Sequence, residues 1–243
     1  AWAPALRRWD RSTADRATRF LANSAHTARE IGRCYGREAE VLHPPVRTGL
    51  FTPDPGVRRE DFWLAVGALE PYKRTHLAVR AAAIAGRRLV VAGSGSLLEP
   101  LRREHAGSGV EFLGRVPDER LVDLYRRARV LLFPQVEDFG IVPVEAMACG
   151  CPVAARGAGG ALDTVVAGVT GAFSESDEPE ALADAGLRCE ALPDPSPACR
   201  AQAERFAEAS FDRAFLGHVF RLLALQESNH GAHGERGGGG GAG

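Results

Sequence analysis

The sequence lacks several features that would restrict its setting. No apolar run approaches the roughly 18 residues of a membrane span, and the first residues hold no hydrophobic leader, so a cytoplasmic setting is expected. The five cysteines (Cys34, Cys149, Cys151, Cys189, Cys199) are odd in number and contain no CxxC pair, which argues against a disulfide framework or a zinc site and for buried free thiols. Charge of one sign is also missing. Thirty Lys+Arg stand against 31 Asp+Glu, a formal net charge of -1, so no basic field draws in nucleic acid and any anionic ligand must be met by local groups. Lysine is reduced to one residue, Lys73, and methionine to Met147; a chain without an initiator is consistent with a piece of a longer one.

What is present is an alternation of apolar runs and amphipathic stretches. From Phe62 onward it reads FWLAVG, THLAVRAAAIAG, RLVVAG, SLLEPLRREHAG, VEFLG, DERLVDLYRRA and VLLFP. A helix near 142–149, the run PVAAR and a short helix near 162–166 follow. This order predicts an α/β fold with a Rossmann-like parallel sheet and helices on both faces. Gly86 and Gly107 fall where helices end, and Pro117 with Asp118 opens the next one. Upstream, RFLANS reads as a strand whose Ser24 caps a helix towards Tyr35, and AEVLHPPV as a strand and a proline-fixed loop. Four segments are expected: a helix within 1–20, with Trp2, Leu6 and Trp9 on one face that packs either on this core or on a partner domain; a ligand-binding domain over 21–192; helices over 193–227; and a disordered glycine-rich tail over 228–243.

In open α/β sheets, ligands sit beyond the carboxyl ends of the strands. The unusual residues fall there: Gly67 with Lys73, Gly93 and Gly95, Gly114 and Arg115, 134–140, and 157–160 each follow a predicted strand. Glycines in such loops either make tight turns or let backbone approach a phosphate at a helix N-terminus; five such loops on one edge favour the ligand. The GSG of Gly93–Gly95 lacks the third glycine of a dinucleotide fingerprint, since Leu98 stands there, which disfavours a nicotinamide enzyme. The richest stretch is EDFGIVPVEAMACGCPVAARGAGG. It places Glu137 before a Gly140 break and Glu145 about a turn into the following helix. Carboxylates accept paired hydrogen bonds from vicinal hydroxyls, so this pair suits a diol-rich ligand, although in isolation it reads as one solvated and one structural Glu.

These motifs resemble the GT-B glycosyltransferases, in particular the retaining group known as family 4 (group 1). Glu137 and Glu145 match its E-x7-E motif, and GGALDTVVAGVTG resembles its GG-x-x-E loop. GALEPYKR and FPQVEDFGIVPVEA resemble the mannosyltransferases of surface-polysaccharide synthesis. Similarity runs from about Phe20 to about Phe173. The resemblance implies the C-terminal, donor-binding domain of that fold, with the N-terminal acceptor-binding domain absent. By it, Lys73, with Arg74, meets the donor diphosphate; Glu145 meets the ribose; Glu137 and the backbone of Phe139, Gly140, Ile141 and Val142 meet the transferred sugar. Arg115 and Val116 edge the base, and the glycines at 67, 93 and 95 line the donor loops. Lys73 and Glu137 are the candidate catalytic residues.

Two departures accompany the likeness: Ala68 stands where many relatives have an arginine, and Asp163 replaces the glutamate of the GG loop. The implied donor is GDP-mannose, with a UDP-sugar as runner-up. The resemblance implies no cofactor and no metal, and the lack of a DxD pair agrees with that. The implied acceptor is a saccharide or a lipid-linked one, the latter placing the protein at the inner face of the membrane. The alternatives are a nucleotide-sugar-binding remnant that transfers nothing and, less compatible with carboxylates facing different parts of one ligand, a glycoside hydrolase.

Overall fold

The computed structural model describes residues 2–234. Helix α1 (Ala3–Ala14) leads into strand β1 (Phe20–Ala22), helix α2 (Ala25–Tyr35) and strand β2 (Ala39–Val41). Ser24 caps α2, its Oγ accepting a hydrogen bond from the Thr27 amide at 3.1 Å. β1 and β2 pair in parallel as a sheet of their own. Within 21–192, read from sequence as one domain, the chain thus forms two sheets. The cause lies in 42–61, where prolines at 44, 45, 53 and 55 and two turns carry the chain away before the next strand begins.

The main sheet consists of β3 (Phe62–Val66), β4 (Arg88–Ala92), β5 (Val110–Gly114), β6 (Val130–Phe133), β7 (Val153–Arg156) and β8 (Gly171–Ser174), all parallel, in the order β5-β4-β3-β6-β7-β8. Helices α3 (Thr75–Ile84), α4 (Leu98–Glu104), α5 (Asp118–Arg127), α6 (Ile141–Ala148), α7 (Ala161–Thr164) and α8 (Pro179–Glu190) connect or follow these strands. The two faces can be read from β3: Phe62 and Leu64 join the core under α5, α6 and α9 (Ser196–Glu204), whereas Trp63 and Ala65 join the core under α3 and α8.

Helix α10 (Glu208–Gly234) ends the described chain. It takes in 228–234, where the sequence reading began a disordered tail. That stretch holds only two glycines, and the uninterrupted glycine run starts later, in 235–243, outside the described residues.

The strand order reverses between β3 and β6: from β3 the chain winds outward through β4 to β5, then returns to β6 and winds the other way. At such a switch point the loops leave in opposite directions and open a crevice above the strand ends. The loops after β3 and β6 border it.

Candidate functional site

After β3, a 3-10 turn (Pro71–Lys73) is pinned to the neighbouring loop by Glu70, whose carboxylate accepts from the Ser96 amide at 2.9 Å and the Ser96 hydroxyl at 2.6 Å. The same hydrogen bonds hold the Glu70 carboxyl below its ordinary value. This turn aims Lys73 across the crevice at the loop after β6, where Lys73 Nζ donates to Glu137 Oε1. Gln135, 4% exposed, donates to the same oxygen at 3.0 Å. Gly140, at φ 87°, swings the chain into α6 and supplies no side-chain cap, so the amides of Ile141 and Val142 are left open at a helix N-terminus, an arrangement that attracts anions.

A cavity of about 550 Å³ collects these groups; Gly67, Lys73, Glu137, Phe139, Gly140, Ile141 and Val142 line it, with Asn23, Pro44, Tyr72 and Gln135. A second cavity of about 250 Å³ adjoins it through Val66 and Gly67 and is bordered by Gly93, Arg115 and Val116. Most of the residues singled out from sequence thus meet at the switch point.

Three of the candidate donor residues line neither cavity. Arg74, whose left-handed φ of 55° turns it away from Lys73, lies with Nη1 2.6 Å from Asp177 Oδ1, an ion pair outside hydrogen-bond alignment. Arg156 holds the same carboxylate at 2.8 Å, and the two guanidinium groups keep Asp177 below the usual carboxylate range. Gly95 has a packing role instead: a Cβ there would lie 2.5 Å from the Leu69 carbonyl oxygen. Glu145, half-buried on α6, accepts a hydrogen bond from Tyr125 Oη of α5 at 3.1 Å.

The glycines divide the same way. Gly67, at φ 150°, has open space where a side chain would stand, but a Cβ on Gly93 would sit 1.8 Å from the Gly67 carbonyl oxygen. Gly159 and Gly160 let the loop after β7 press on the loop carrying Glu137. A Cβ on Gly160 would be 2.3 Å from Phe139 Cα, and the Gly160 amide donates to the Glu137 carbonyl at 2.8 Å. Asp163, one turn on, accepts from the Ala25 amide at 2.8 Å and lies 2.9 Å from His43 Nε2, tying the β1-α2-β2 unit to this edge. The His43 ring in turn packs against Phe139 at 5.6 Å.

Gln135 is legible in the sequence only as part of 134–140, directly behind the run VLLFP, whereas nothing there marks Asn23, Pro44 and Tyr72 for the site. Those three depend on how the first unit and the turn pack. Among the described residues, no group of three or more His, Cys, Asp or Glu gathers as a metal site, and no helix is long and apolar enough to cross a membrane.

Comparison with known proteins fits this geometry. Two D-inositol 3-phosphate glycosyltransferases are each 34% identical: that of Mycolicibacterium gilvum over 72% of this chain and 45% of its own length, and that of Kribbella flavida over 75% and 50%. The chain spans about half the length of these curated relatives. Among solved structures, Anabaena HepE in complex with UDP superposes with a TM-score of 0.79 at 23% identity, over 88% of this chain and 67% of that one. Sucrose-phosphate synthase from Thermosynechococcus elongatus superposes with 0.77 at 23% identity, over 90% and 62%. The parallel sheet is that of the C-terminal half of the GT-B fold. Residues 55–208, more than half of the sequence, match the family model described as glycosyl transferases group 1, and the chain belongs to that family.

Proposed function

We propose that this chain supplies the donor site of a retaining glycosyltransferase, family 4 in type, which moves a sugar from a nucleoside diphosphate to an acceptor hydroxyl. The observation that carries the reading is the placement of the only lysine and the open N-terminus of α6 on one cavity at the switch point. In the transfer, the bond from the anomeric carbon to the diphosphate breaks with its electron pair, the acceptor oxygen takes its place on the same face, and the hydroxyl proton passes to the departing phosphate. Negative charge grows on the diphosphate, where a fixed ammonium and helix-end amides stabilise it. Lys73 and the Ile141 and Val142 amides have that role here.

Glu137 receives sugar hydroxyls, Glu145 the ribose, and Arg115 with Val116 borders the base in the smaller cavity. Lys73 and Glu137 satisfy each other, so in this reading a donor diphosphate takes the place of the carboxylate at Lys73 and leaves it to the sugar. Donor binding thereby prepares both groups.

For the base, we favour uridine, because the HepE structures that superpose contain UDP, and UDP-glucose in one case. GDP-mannose is the second reading, favoured by the likeness of GALEPYKR and FPQVEDFGIVPVEA to mannosyltransferases. The acceptor is a hydroxyl of a saccharide, free or lipid-linked, or, by kinship with the D-inositol 3-phosphate enzymes, of a phosphorylated cyclitol. The test is calorimetric titration of the chain with UDP, GDP and NAD. Binding of UDP or GDP at micromolar to millimolar levels with NAD silent supports the donor site, and the tighter of the two names the base. Silence from both nucleoside diphosphates removes the reading.

A further inference from the structure

Among the described residues, the Glu145 carboxylate has one hydrogen-bond partner. Tyr125, fully buried on α5, directs its hydroxyl across to Oε2 of Glu145 on α6, and its ring is held by an edge contact with Phe51 at 5.8 Å. A phenol in an apolar core needs an acceptor, and this one has no other. Oε1 of Glu145 makes no hydrogen bond among the described residues and is not enclosed. The carboxylate therefore has one oxygen committed to the protein and one available.

The other charged and titratable groups around it do not take over this contact. Arg47, from the segment before β3, pairs with Asp118 of α5 at 2.8 Å and acts on Glu145 through its field, as Asp118 does in the opposite sense. Cys149, one turn on along α6, is a buried thiol pushed up to about 12 and stays uncharged. Burial raises the Glu145 carboxyl; the Tyr125 hydrogen bond is the largest influence in the other direction, followed by Arg47.

We propose that Tyr125 is a positioning residue of the nucleotide site: its hydroxyl fixes Oε2 of Glu145 so that Oε1 is presented to the vicinal hydroxyls of a ribose. The proposal rests on the donor-site reading above and adds a residue that lies wholly inside the core. It also explains why a buried strip of α5 carries an oxygen where phenylalanine would fill the same space.

The experiment compares UDP with 2′,3′-dideoxyuridine diphosphate by calorimetry in the wild type, Glu145→Gln and Tyr125→Phe, from mildly alkaline to mildly acidic pH. The wild type should prefer UDP. Tyr125→Phe should lose roughly tenfold in UDP affinity, the scale of a hydrogen bond to a charged group, with dideoxy binding unchanged. The loss should deepen on acidification, because a carboxylate without its donor protonates at higher pH. A 13C NMR titration of the Glu145 carboxyl, moved upward in Tyr125→Phe, reads the same contact independently of affinity.

A wild type indifferent to the ribose hydroxyls, or a Glu145→Gln that keeps the preference, overturns the ribose reading and this inference with it. With those two intact, an unchanged UDP preference or an unmoved Glu145 titration in Tyr125→Phe overturns the positioning role alone. Equal losses for both nucleotides overturn it as well, since they mark a general disturbance of the core.

Discussion

Lys73 and Glu137 pair with each other across the cavity, and that pairing sets what each substitution should do. Lys73→Ala removes the one ammonium in the chain. Nucleoside diphosphate affinity should fall by at least about tenfold, the effect of losing a hydrogen bond to a charged group, as measured by calorimetry. Glu137→Gln releases the lysine from its carboxylate, so bare UDP should bind as well as before or better, while the gain on adding a sugar to UDP is lost. A weaker grip on bare UDP in Glu137→Gln would contradict the competition. Glu145 makes a further expectation at this scale. Burial raises its carboxyl, so the folded state holds a proton that the unfolded chain gives up, and folding gains as pH falls through that raised value. Above it, the buried charge opposes folding. Glu145→Gln, which is neutral at every pH and still accepts from Tyr125, should melt higher than the wild type at neutral pH, with the advantage shrinking on acidification. A thermal melting series against pH checks the sign, and an advantage that grows in acid would refute it.

At the scale of elements, the loops at the strand ends are held by backbone approach, and glycine is what permits it. Gly160→Ala would force a Cβ within 2.3 Å of Phe139 Cα, so the loop after β7 must lift away from the loop that carries Glu137. We expect a fall in melting temperature together with loss of UDP binding. Gly86→Ala is the control: its φ of 65° is left-handed, so a side chain costs about 1 kcal/mol there, but space is open and binding should be untouched. Equal effects on binding from the two changes would dissociate the loop packing from the site. These cases mark what the sequence could tell. FWLAV, RLVVA and VLLFP announce the strands because apolar side chains on both faces leave little else for them to be, and the loops behind them announce the edge. The partner of each loop is not local. Gly93 is a glycine because of the Gly67 carbonyl, Gly160 because of Phe139, and Arg74 turns outward to Asp177; none of these pairings leaves a mark on neighbouring residues. Nor does the separation of β1 and β2 from the main sheet, because a strand-helix-strand unit reads alike whichever sheet it joins.

At the scale of the whole molecule, two units wall the proposed donor cavity. One wall of the larger cavity comes from the β1-α2-β2 unit, through Asn23 and Pro44, and the remainder from the main sheet. That unit is a sheet of two strands, too few to be stable alone, and it leaves Leu21 and Val41 about 40% exposed, with Trp2, Leu6 and Trp9 of α1 standing in solvent beside it at 81%, 60% and 65%. Apolar surface of this kind is where further protein is expected to pack. The relatives run to about twice the length that this chain matches. Transfer needs the acceptor hydroxyl held in line with the anomeric carbon, and such orientation accounts for several kcal/mol of a barrier. Besides the proposed donor residues, the described lining of the cavity consists of Asn23, Pro44, Val66, Tyr72, Gln135, Val136 and Asp138, a single flank for an acceptor. The chain by itself should therefore bind nucleotide sugar without transferring it. The assay supplies UDP-glucose or GDP-mannose and a saccharide acceptor to this chain alone, and then with the N-terminal half of a D-inositol 3-phosphate glycosyltransferase relative added in trans. Nucleoside diphosphate release that appears only with the added half supports the division of labour. Steady transfer by the chain alone would overturn it and make the residues around Asn23 the first place to look for the acceptor.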